Sequence, residues 1–192
     1  MISEAGHVII ARITVLETPS ELMAIRKIIY LPDERLRRVS SDVTVFDDQL
    51  QLLIDDMFET MYAAKGVGLA APQIGINLRL SVVDVIGDKS QQLVLINPEI
   101  IASEGRVEYQ EGCLSVPSVY DTVFRAEKVT LRAQNRVGEF YEMDADGLLG
   151  ECFQHEIDHL NGKLFVDLLS PLKRTMARRK LDKFIRHNTK KS

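Results

Sequence analysis

The chain has 192 residues, of which 45% are hydrophobic and 27% charged, and its formal net charge is −4. This composition is typical of an ordinary globular domain, and the length is enough to bury a sizeable core without a metal or disulfide staple. Its only two cysteines, Cys113 and Cys152, exclude a disulfide-rich secreted scaffold and predict reduced thiols in a cytosolic setting. No run approaches the roughly 18 apolar residues of a membrane span, so we expect no membrane partner.

The first 22 residues are interpreted as an N-terminal extension. Their apolar stretch is interrupted by His7 and Arg12, which is not typical of a signal peptide. Met23 then opens a β-like run, Met-Ala-Ile-Arg-Lys-Ile-Ile-Tyr-Leu, which predicts the first strand of a domain. We therefore expect residues 1–22 to lie outside the native start, and residues 23–192 to form a single domain.

Helical and strand-like segments then follow without regular alternation. Apolar residues at helical spacing predict a helix over residues 47–61, with Asp47 and Asp48 where an N-cap belongs and Gly66 as a stop. A second helix is predicted over residues 148–160, before the stop signal Asn161-Gly162. Between the two helices, short β-rich runs occupy residues 78–85, 93–97, 106–109, 129–133 and 140–143. Strands flanked by helices, without βαβ repeats, predict an α+β fold with antiparallel strands.

Charge is divided unevenly between the two ends of the chain. Residues 171–192 contain nine Lys or Arg and one acid, for a net charge of +8, whereas residues 1–170 have a net charge of −12. Apolar residues recur in this basic segment at roughly helical spacing: Leu172, Met176, Leu181, Phe184 and Ile185. One interpretation is an amphipathic helix packed on the body with a solvated basic face. The other is electrostatic docking on an anionic surface such as RNA.

The second predicted helix contains the segment His-Glu-Ile-Asp-His at residues 155–159. His155 and His159 are four residues apart, so both imidazoles face the same side of the helix and can bind one metal ion. Glu156 lies one step around the helix toward that ion, which suits a carboxylate beside a water ligand. The alternative is a pair of core or surface histidines that share this spacing by chance.

A catalytic metal usually has three protein ligands, so a third ligand must come from elsewhere. The familiar zinc-protease patterns fail, because Phe165 stands six residues after His159 and no Glu follows Glu156. Downstream candidates are Asp167, Asp182 and His187, and an upstream ligand is favoured. Cys152 is displaced along the helix axis and too short to reach the ion, so we interpret it as a small apolar residue near the site. Cys113, in a turn-like segment, remains as a thiolate ligand or as an inert buried thiol.

The segment from Gly66 to Gly75 is rich in small residues. It follows a helix and lacks a Lys-Ser/Thr pair, so it only superficially resembles a phosphate-binding loop. Small residues would let the backbone of an extended ligand lie close, and Gln73 offers an amide donor for an oxyanion. The alternative is a tight turn without a binding role.

Three segments, at residues 66–73, 111–115 and 154–159, closely resemble the motifs of the peptide deformylase family, and they occur in the family's order. The resemblance extends from about Met23 to the basic C-terminal helix. It implies an enzyme that removes the formyl group from the N-terminal formylmethionine of newly synthesised proteins. The predicted fold is then α+β, with antiparallel β-sheets packed around a central metal-binding helix and with a C-terminal helix.

The resemblance also implies roles for individual residues. The implied metal ligands are Cys113, His155 and His159. Glu156 would be the acid and base, and Gln73 with the Leu114 backbone N–H would hold the oxyanion. The implied metal is Fe(II), for which zinc, nickel or cobalt can substitute, since a thiolate and two imidazoles suit several ions.

Substrate contacts follow from the same resemblance. The substrate backbone would pair as an added strand with Val67, Gly68 and Gly112. The methionine side chain would enter a pocket near Val67, Leu148, Glu151 and Cys152. Glu151 departs from the family, which often has an apolar residue there, and we expect only its methylenes to contact substrate.

Partners and competing functions complete the predictions. The implied partners are N-formyl-Met nascent chains in the cytoplasm, with the ribosome docked through the basic helix and the enzyme acting as a monomer. Three other functions remain open: a metallopeptidase that cuts internal peptide bonds, a thiol enzyme that uses Cys113 as nucleophile, and a metal-binding module without activity.

Overall fold

The computed structural model describes residues 24–189, which contain three α-helices and seven β-strands. The helices are α1 (Asp48–Ala63), α2 (Gly147–Leu160) and α3 (Pro171–Thr189). The strands are β1 (Gly68–Ala70), β2 (Leu80–Val83), β3 (Leu93–Glu104), β4 (Val107–Gly112), β5 (Tyr120–Arg125), β6 (Lys128–Gln134) and β7 (Phe140–Asp146). The predicted extension, residues 1–22, and the predicted start at Met23 lie outside the described residues.

The strands form two antiparallel sheets. The larger has five strands in the order β1-β2-β3-β6-β7, and the smaller pairs β4 with β5. Both β1, at the edge of the larger sheet, and β4 have one strand partner each within residues 24–189. These two free edges face the cavity described below through Gly68 and Gly112.

Helix α1 covers one part of the larger sheet. The Asp47 carboxylate caps it by accepting a hydrogen bond from the Leu50 N–H at 3.0 Å. Apolar side chains at helical spacing point inward and pack on β1 and β2. The most completely buried of them are Ile54, Met57, Phe58 and Met61. The predicted helix over residues 47–61 is confirmed, with its end two residues later.

Helix α2 is the central element, since it contacts all five strands of the larger sheet. Phe153 and Cys152 pack into a cluster with Leu131 and Ala145. His155 and Glu156 lie three and four residues after Cys152, so all three share one side of the helix and line the cavity described below. The α+β arrangement of antiparallel sheets around this helix is therefore confirmed, and it places one face of α2 in the core and the other at the candidate site.

Helix α3 packs through a narrow apolar stripe. Ala177 and Leu181 are buried against Val116 and Val119 of the loop that follows β4. Leu172 and Met176, by contrast, are 72% and 52% exposed. The predicted amphipathic C-terminal helix is confirmed, but its apolar face is narrower than the sequence pattern indicated.

The structure corrects several strand predictions. Residues 24–30 form no strand, because their backbone bonds go to separate loops: Ile29 N–H donates to Gln73 and Leu31 N–H to Ser115. Strands β1 and β5 were not predicted: β1 has only three residues, and β5 is a strand through its antiparallel pairing with β4. Strand β3 extends seven residues beyond the predicted Asn97, to Glu104, and has register irregularities opposite β6.

Within residues 24–189, no helix combines the length and the apolar character needed to cross a bilayer.

Candidate active site

A cavity of ≈ 620 Å³ opens between α2, the segment before β1 and the loop after β4. All site residues predicted from the sequence line it except His159, whose Nε2 lies 3.2 Å from Cys113 Sγ. Tyr30 and Phe184 also line the cavity and meet edge to face, with ring centroids 6.0 Å apart. The three motif segments therefore converge on one site, together with Tyr30 and Phe184.

The cavity contains a group of side chains that could hold a metal ion. One ligand atom from each of Cys113, His155 and His159 lies within 4.8 Å of the others. Within residues 24–189 this is the one cluster of three or more His, Cys, Asp or Glu that meets this criterion. A thiolate and two imidazoles can occupy three positions around one divalent ion and leave another for water.

Neighbouring groups orient the ring of His155, and burial sets the charge of His159. The Nδ1 of His155 lies 2.9 Å from Glu111 Oε2, which leaves Nε2 available toward Cys113. A carboxylate on the distal nitrogen is a common way to orient a ligating imidazole. Burial lowers the pKa of His159 well below its ordinary value, so this ring is neutral, as metal binding requires.

Glu111 stays ionised although it is buried. Burial by itself would raise its pKa, but hydrogen bonds with His155 and Arg125 outweigh that effect and lower the pKa. The Arg125 guanidinium binds both Glu111 oxygens, at 2.6 and 3.1 Å. It also donates to Asp158 at 2.6 Å.

Glu156 is the second buried carboxylate of the site, with 3% of its surface exposed. Its Oε2 has no hydrogen-bond partner among the described residues. Burial raises the pKa of Glu156 to about 7, a trend that the charge of His155 opposes. An unpartnered buried carboxylate with a pKa near neutrality can both accept and donate a proton.

The amide of Gln73 is held in one orientation. Its Oε1 accepts a hydrogen bond from the Ala70 N–H at 2.8 Å, so its Nε2 points toward Cys113 Sγ, 3.6 Å away, and Ser115 Oγ, 3.3 Å away. The amide donor therefore faces the cavity beside the ligand cluster. Leu114 follows Cys113 directly and lines the same wall.

Gly68 stands where any larger residue would collide with the site. A Cβ at this position would overlap Glu156 Oε1 and lie 2.8 Å from Cys152 Sγ. Gly112 is similarly covered, because a Cβ there would lie 2.5 Å from the ring of Tyr120. Both glycines thus let backbone lie flush with the cavity.

The far end of the cavity is walled by the first turns of α2. Leu148 is 50% exposed, Cys152 is buried, and Glu151 is half-buried. Burial, and then the charge of Glu111, raise the pKa of Glu151 to about 7. Burial also raises the pKa of the Cys152 thiol well above its ordinary value, so this thiol remains protonated.

The profile of the polypeptide deformylase family matches residues 25–175. The chain belongs to the polypeptide deformylase family. A deformylase-family relative from Chromobacterium violaceum is 52% identical over 166 residues, which cover 86% of this chain and 99% of the relative. Another from Hahella chejuensis is 56% identical over 158 residues, which cover 82% and 94%. Both are named peptide deformylase.

Solved structures of deformylases share the fold. The peptide deformylase from Legionella pneumophila has 66% sequence identity and a TM-score of 0.85, over 86% of this chain and 98% of the other. The peptide deformylase from Thermotoga maritima has 40% identity and a TM-score of 0.73, over 77% and 99%. The antiparallel sheets around α2 are therefore the deformylase fold.

Sequence patterns in this deformylase-family chain indicated no role for Glu111, Arg125 or Asp158. Glu111 directly precedes Gly112 and Cys113, which were predicted as site residues. This position was the only feature of the sequence that could have indicated a role for Glu111. Arg125 lies in the unpredicted strand β5, and nothing in its local sequence indicates burial. Tyr30 and Phe184 were likewise missed as cavity residues, because only the tertiary fold brings them there.

Proposed function

We propose that this chain is a metal-dependent hydrolase that removes the formyl group from the N-terminal formylmethionine of newly synthesised proteins. The observation that carries the proposal is the cluster of Cys113, His155 and His159 beside Glu156, in one cavity of a deformylase-family chain. Neither the pair of histidines nor the cysteine would support the proposal alone. The support is that helix α2 and the loop after β4 bring the three side chains together.

The donor set fits a divalent metal held by Cys113, His155 and His159. The Glu111 carboxylate engages Nδ1 of His155, so the other imidazole nitrogen is directed at Cys113, and the low pKa of His159 leaves that ring neutral. We propose Fe(II) as the metal, with zinc, nickel or cobalt as possible substitutes, since these ligands suit several ions. A metal held there would polarise the formyl oxygen and lower the pKa of a water molecule.

Glu156 is proposed as the acid and base of the reaction. Its carboxylate would accept the proton of the water that attacks the formyl carbon, and would then deliver it to the departing amide nitrogen. A pKa of about 7 suits both transfers near neutral pH, because the group loses and regains its proton at little cost.

Gln73 and the Leu114 backbone N–H are proposed to hold the oxyanion that develops on the formyl oxygen. The support is the fixed orientation of Gln73, whose Nε2 faces the cluster because Oε1 is engaged by Ala70. A donor that is already aimed at the developing charge needs no reorganisation during the reaction.

The substrate backbone is proposed to bind as an extended strand between Gly68 and Gly112, with Val67 beside it. The free edges of β1 and β4 offer main-chain donors and acceptors, and backbone pairing suits substrates of many sequences. The methionine side chain would enter the space between Leu148, Glu151 and Cys152. Only the methylenes of Glu151 are expected to contact it.

The test is a formate-release assay on protein purified without oxygen, combined with elemental analysis. We expect one equivalent of a divalent metal, formate release from formyl-Met peptides, and loss of activity with chelators. Cleavage of internal bonds in unformylated peptides would instead indicate a metallopeptidase. Inactivation by alkylation together with indifference to chelators would indicate a thiol enzyme, and bound metal without hydrolysis would indicate a binding module.

The basic face of α3 is proposed to dock on the ribosome, where nascent chains emerge. Arg179, Lys183 and Arg186 are exposed on this helix. Deleting α3 would also remove the buried Leu181, so we prefer replacement of these three residues by Gln. Ribosome affinity should fall, and the slope of log affinity against log salt should decrease by about two, since each cation on a phosphate contributes about 0.7–0.9. An unchanged slope would reject the proposal.

The remaining expectations concern the whole chain. We propose that the enzyme is monomeric and cytoplasmic, that residues 1–22 are dispensable, and that residues 23–192 are the catalytic domain. A protein beginning at Met23 should keep full formate release and sediment as a monomer. Loss of activity on removal of residues 1–22 would contradict this domain assignment.

A further inference from the structure

A buried ion network joins the two elements that carry the candidate metal ligands. Arg125, on β5, binds Glu111 of β4 through Nε and Nη2, at 2.6 and 3.1 Å. Its Nη1 binds Asp158 of α2 at 2.6 Å. One guanidinium therefore connects β4, β5 and α2. The network is largely withdrawn from solvent, since the side chains of Arg125 and Glu111 are 7% and 1% exposed.

Both carboxylates of the network are neighbours of candidate ligands. Glu111 accepts from His155 Nδ1 at 2.9 Å and stands two residues before Cys113. Asp158 directly precedes His159. A displacement of the guanidinium would therefore be transmitted to all three ligands, along one hydrogen bond and two short stretches of backbone.

Stability alone is a poor explanation for this network. Burying ion pairs requires removing charges from water, and well-packed apolar residues often stabilise a fold equally well. A planar guanidinium, however, fixes two carboxylates in direction as well as in distance. The Cys113 loop and α2 are separate pieces of chain, and a metal site needs their separation to be fixed.

We propose that Arg125 is a positioning residue for the metal centre. By holding Glu111 and Asp158 at once, it fixes the end of β4 relative to α2 and orients the His155 ring. It thereby determines how tightly the site retains its metal. The inference rests on the proposed function, because it takes Cys113, His155 and His159 to be the ligands.

The test uses the full chain loaded with Co(II), whose visible spectrum reports coordination geometry and thiolate ligation. Arg125→Lys keeps the positive charge but loses the planar fork. Competition with a chelator should show an affinity for Co(II) that is about 10- to 100-fold lower, the usual effect of altering the groups behind a metal ligand. The thiolate-to-Co(II) and d–d bands should also shift.

A second variant and a control keep the test decisive. Asp158→Asn preserves shape and leaves the pair of Arg125 with Glu111 intact, so a smaller loss of about 10-fold is expected even if Arg125→Lys folds poorly. Arg136→Lys alters a partly exposed pair remote from the candidate ligands, in which Arg136 lies 2.7 Å from Asp55, and should change neither affinity nor spectrum.

The outcomes separate the inference from the proposed function. If the wild-type chain shows no thiolate-to-Co(II) band, the proposed metal site itself fails. If the wild type binds Co(II) but Arg125→Lys and Asp158→Asn keep its affinity within about twofold and its spectrum, the positioning role is overturned. An affinity loss that matches the loss of metal-free folding stability, with an unchanged spectrum, also overturns it, because it indicates a purely structural role.

Discussion

Helices α2 and α3 both carry many ionisable side chains, but several of those on α2 are buried whereas most of those on α3 are exposed. On α2, Glu156 and His159 are almost fully buried, and their pKa values are displaced by burial and by neighbouring charges. On α3, Arg179 and Lys183 are exposed. The same kinds of side chain therefore line a buried candidate site on one helix and present a surface charge on the other.

Burial of the charges decides where a substitution has a large effect. Solvent and salt weaken an exposed charge, so changes on the basic face of α3 should act on association and little on folding. A buried charge interacts strongly with every neighbour, so changes on the cavity face of α2 should alter catalysis directly. Four predictions test this contrast, in decreasing order of the size of the effect.

Replacing the buried carboxylate of α2 should have the largest effect. Glu156→Gln removes the proposed proton carrier while keeping its shape, so kcat/KM for formyl-Met peptides should fall by about 10²- to 10⁴-fold. Metal content measured by elemental analysis should stay at the wild-type value. A metal-loaded variant with near-normal formate release would disprove the acid and base role.

The buried stripe of α3 should matter for stability rather than for charge. Leu181 is 2% exposed, so Leu181→Ala should lower the free energy of unfolding by about 2–4 kcal/mol, measured by denaturant titration. Met176→Ala, at a position 52% exposed on the same helix, is the control and should be nearly neutral. Equal effects at both positions would contradict the packing of α3 on the loop after β4.

Adding one methyl group at the cavity wall should disturb the catalytic face. Gly68→Ala would push Glu156 and Cys152 aside, so we expect a loss of stability of about 1–3 kcal/mol and a clear fall in kcat/KM. The double variant Gly68→Ala with Cys152→Ala relieves the contact with sulfur only. Because the closer overlap with Glu156 remains, it should recover part of the lost stability but not the activity, and recovery of both would show that Glu156 is not the critical neighbour.

The smallest effect concerns the pH dependence of stability. Burial raises the pKa of Glu151 to about 7, above its value of about 4.3 in an unfolded chain, so the folded state binds this proton more tightly. Stability is therefore favoured at acidic pH and lost as pH rises from about 4.3 to about 7. Because Glu151 is half exposed, we expect a change of only about 1 kcal/mol.

Glu151→Gln should remove that pH dependence. In metal-free protein, its stability relative to wild type should increase between pH 4.5 and pH 8, as measured by thermal or denaturant unfolding. Glu99→Gln, on the exposed face of β3, is the charge-matched control and should follow the wild-type profile. Parallel curves for Glu151→Gln and wild type would show that this carboxyl has no raised pKa.

Local sequence patterns were sufficient to predict the helices and the two histidines of the candidate site. The spacing of His155 and His159 places both rings on one side of any helix that contains them, and the helical period of residues 47–61 predicts α1 almost to its ends. These features depend on interactions between residues three or four apart. They are therefore visible in a single chain without knowledge of the fold.

Strand pairing was harder to predict. Strand β1 has three residues, and it is a strand only because Gly68 to Ala70 pair with β2. Strand β5 exists through its pairing with β4. Conversely, the β-rich segment before Pro32 finds no continuous partner strand and remains irregular. Strand formation depends on what lies alongside, which short-range patterns do not record.

Local residue patterns specify the helices, the antiparallel strands and the residue types of the candidate metal ligands, and the three motifs specify the family. The packing of the sheets around α2 brings Cys113 Sγ to 3.2 Å from His159 Nε2 and lets Arg125 tie Glu111 to Asp158. Contacts within one helical turn follow from backbone geometry, whereas contacts between residues dozens of positions apart exist only after the sheets and α2 have packed together.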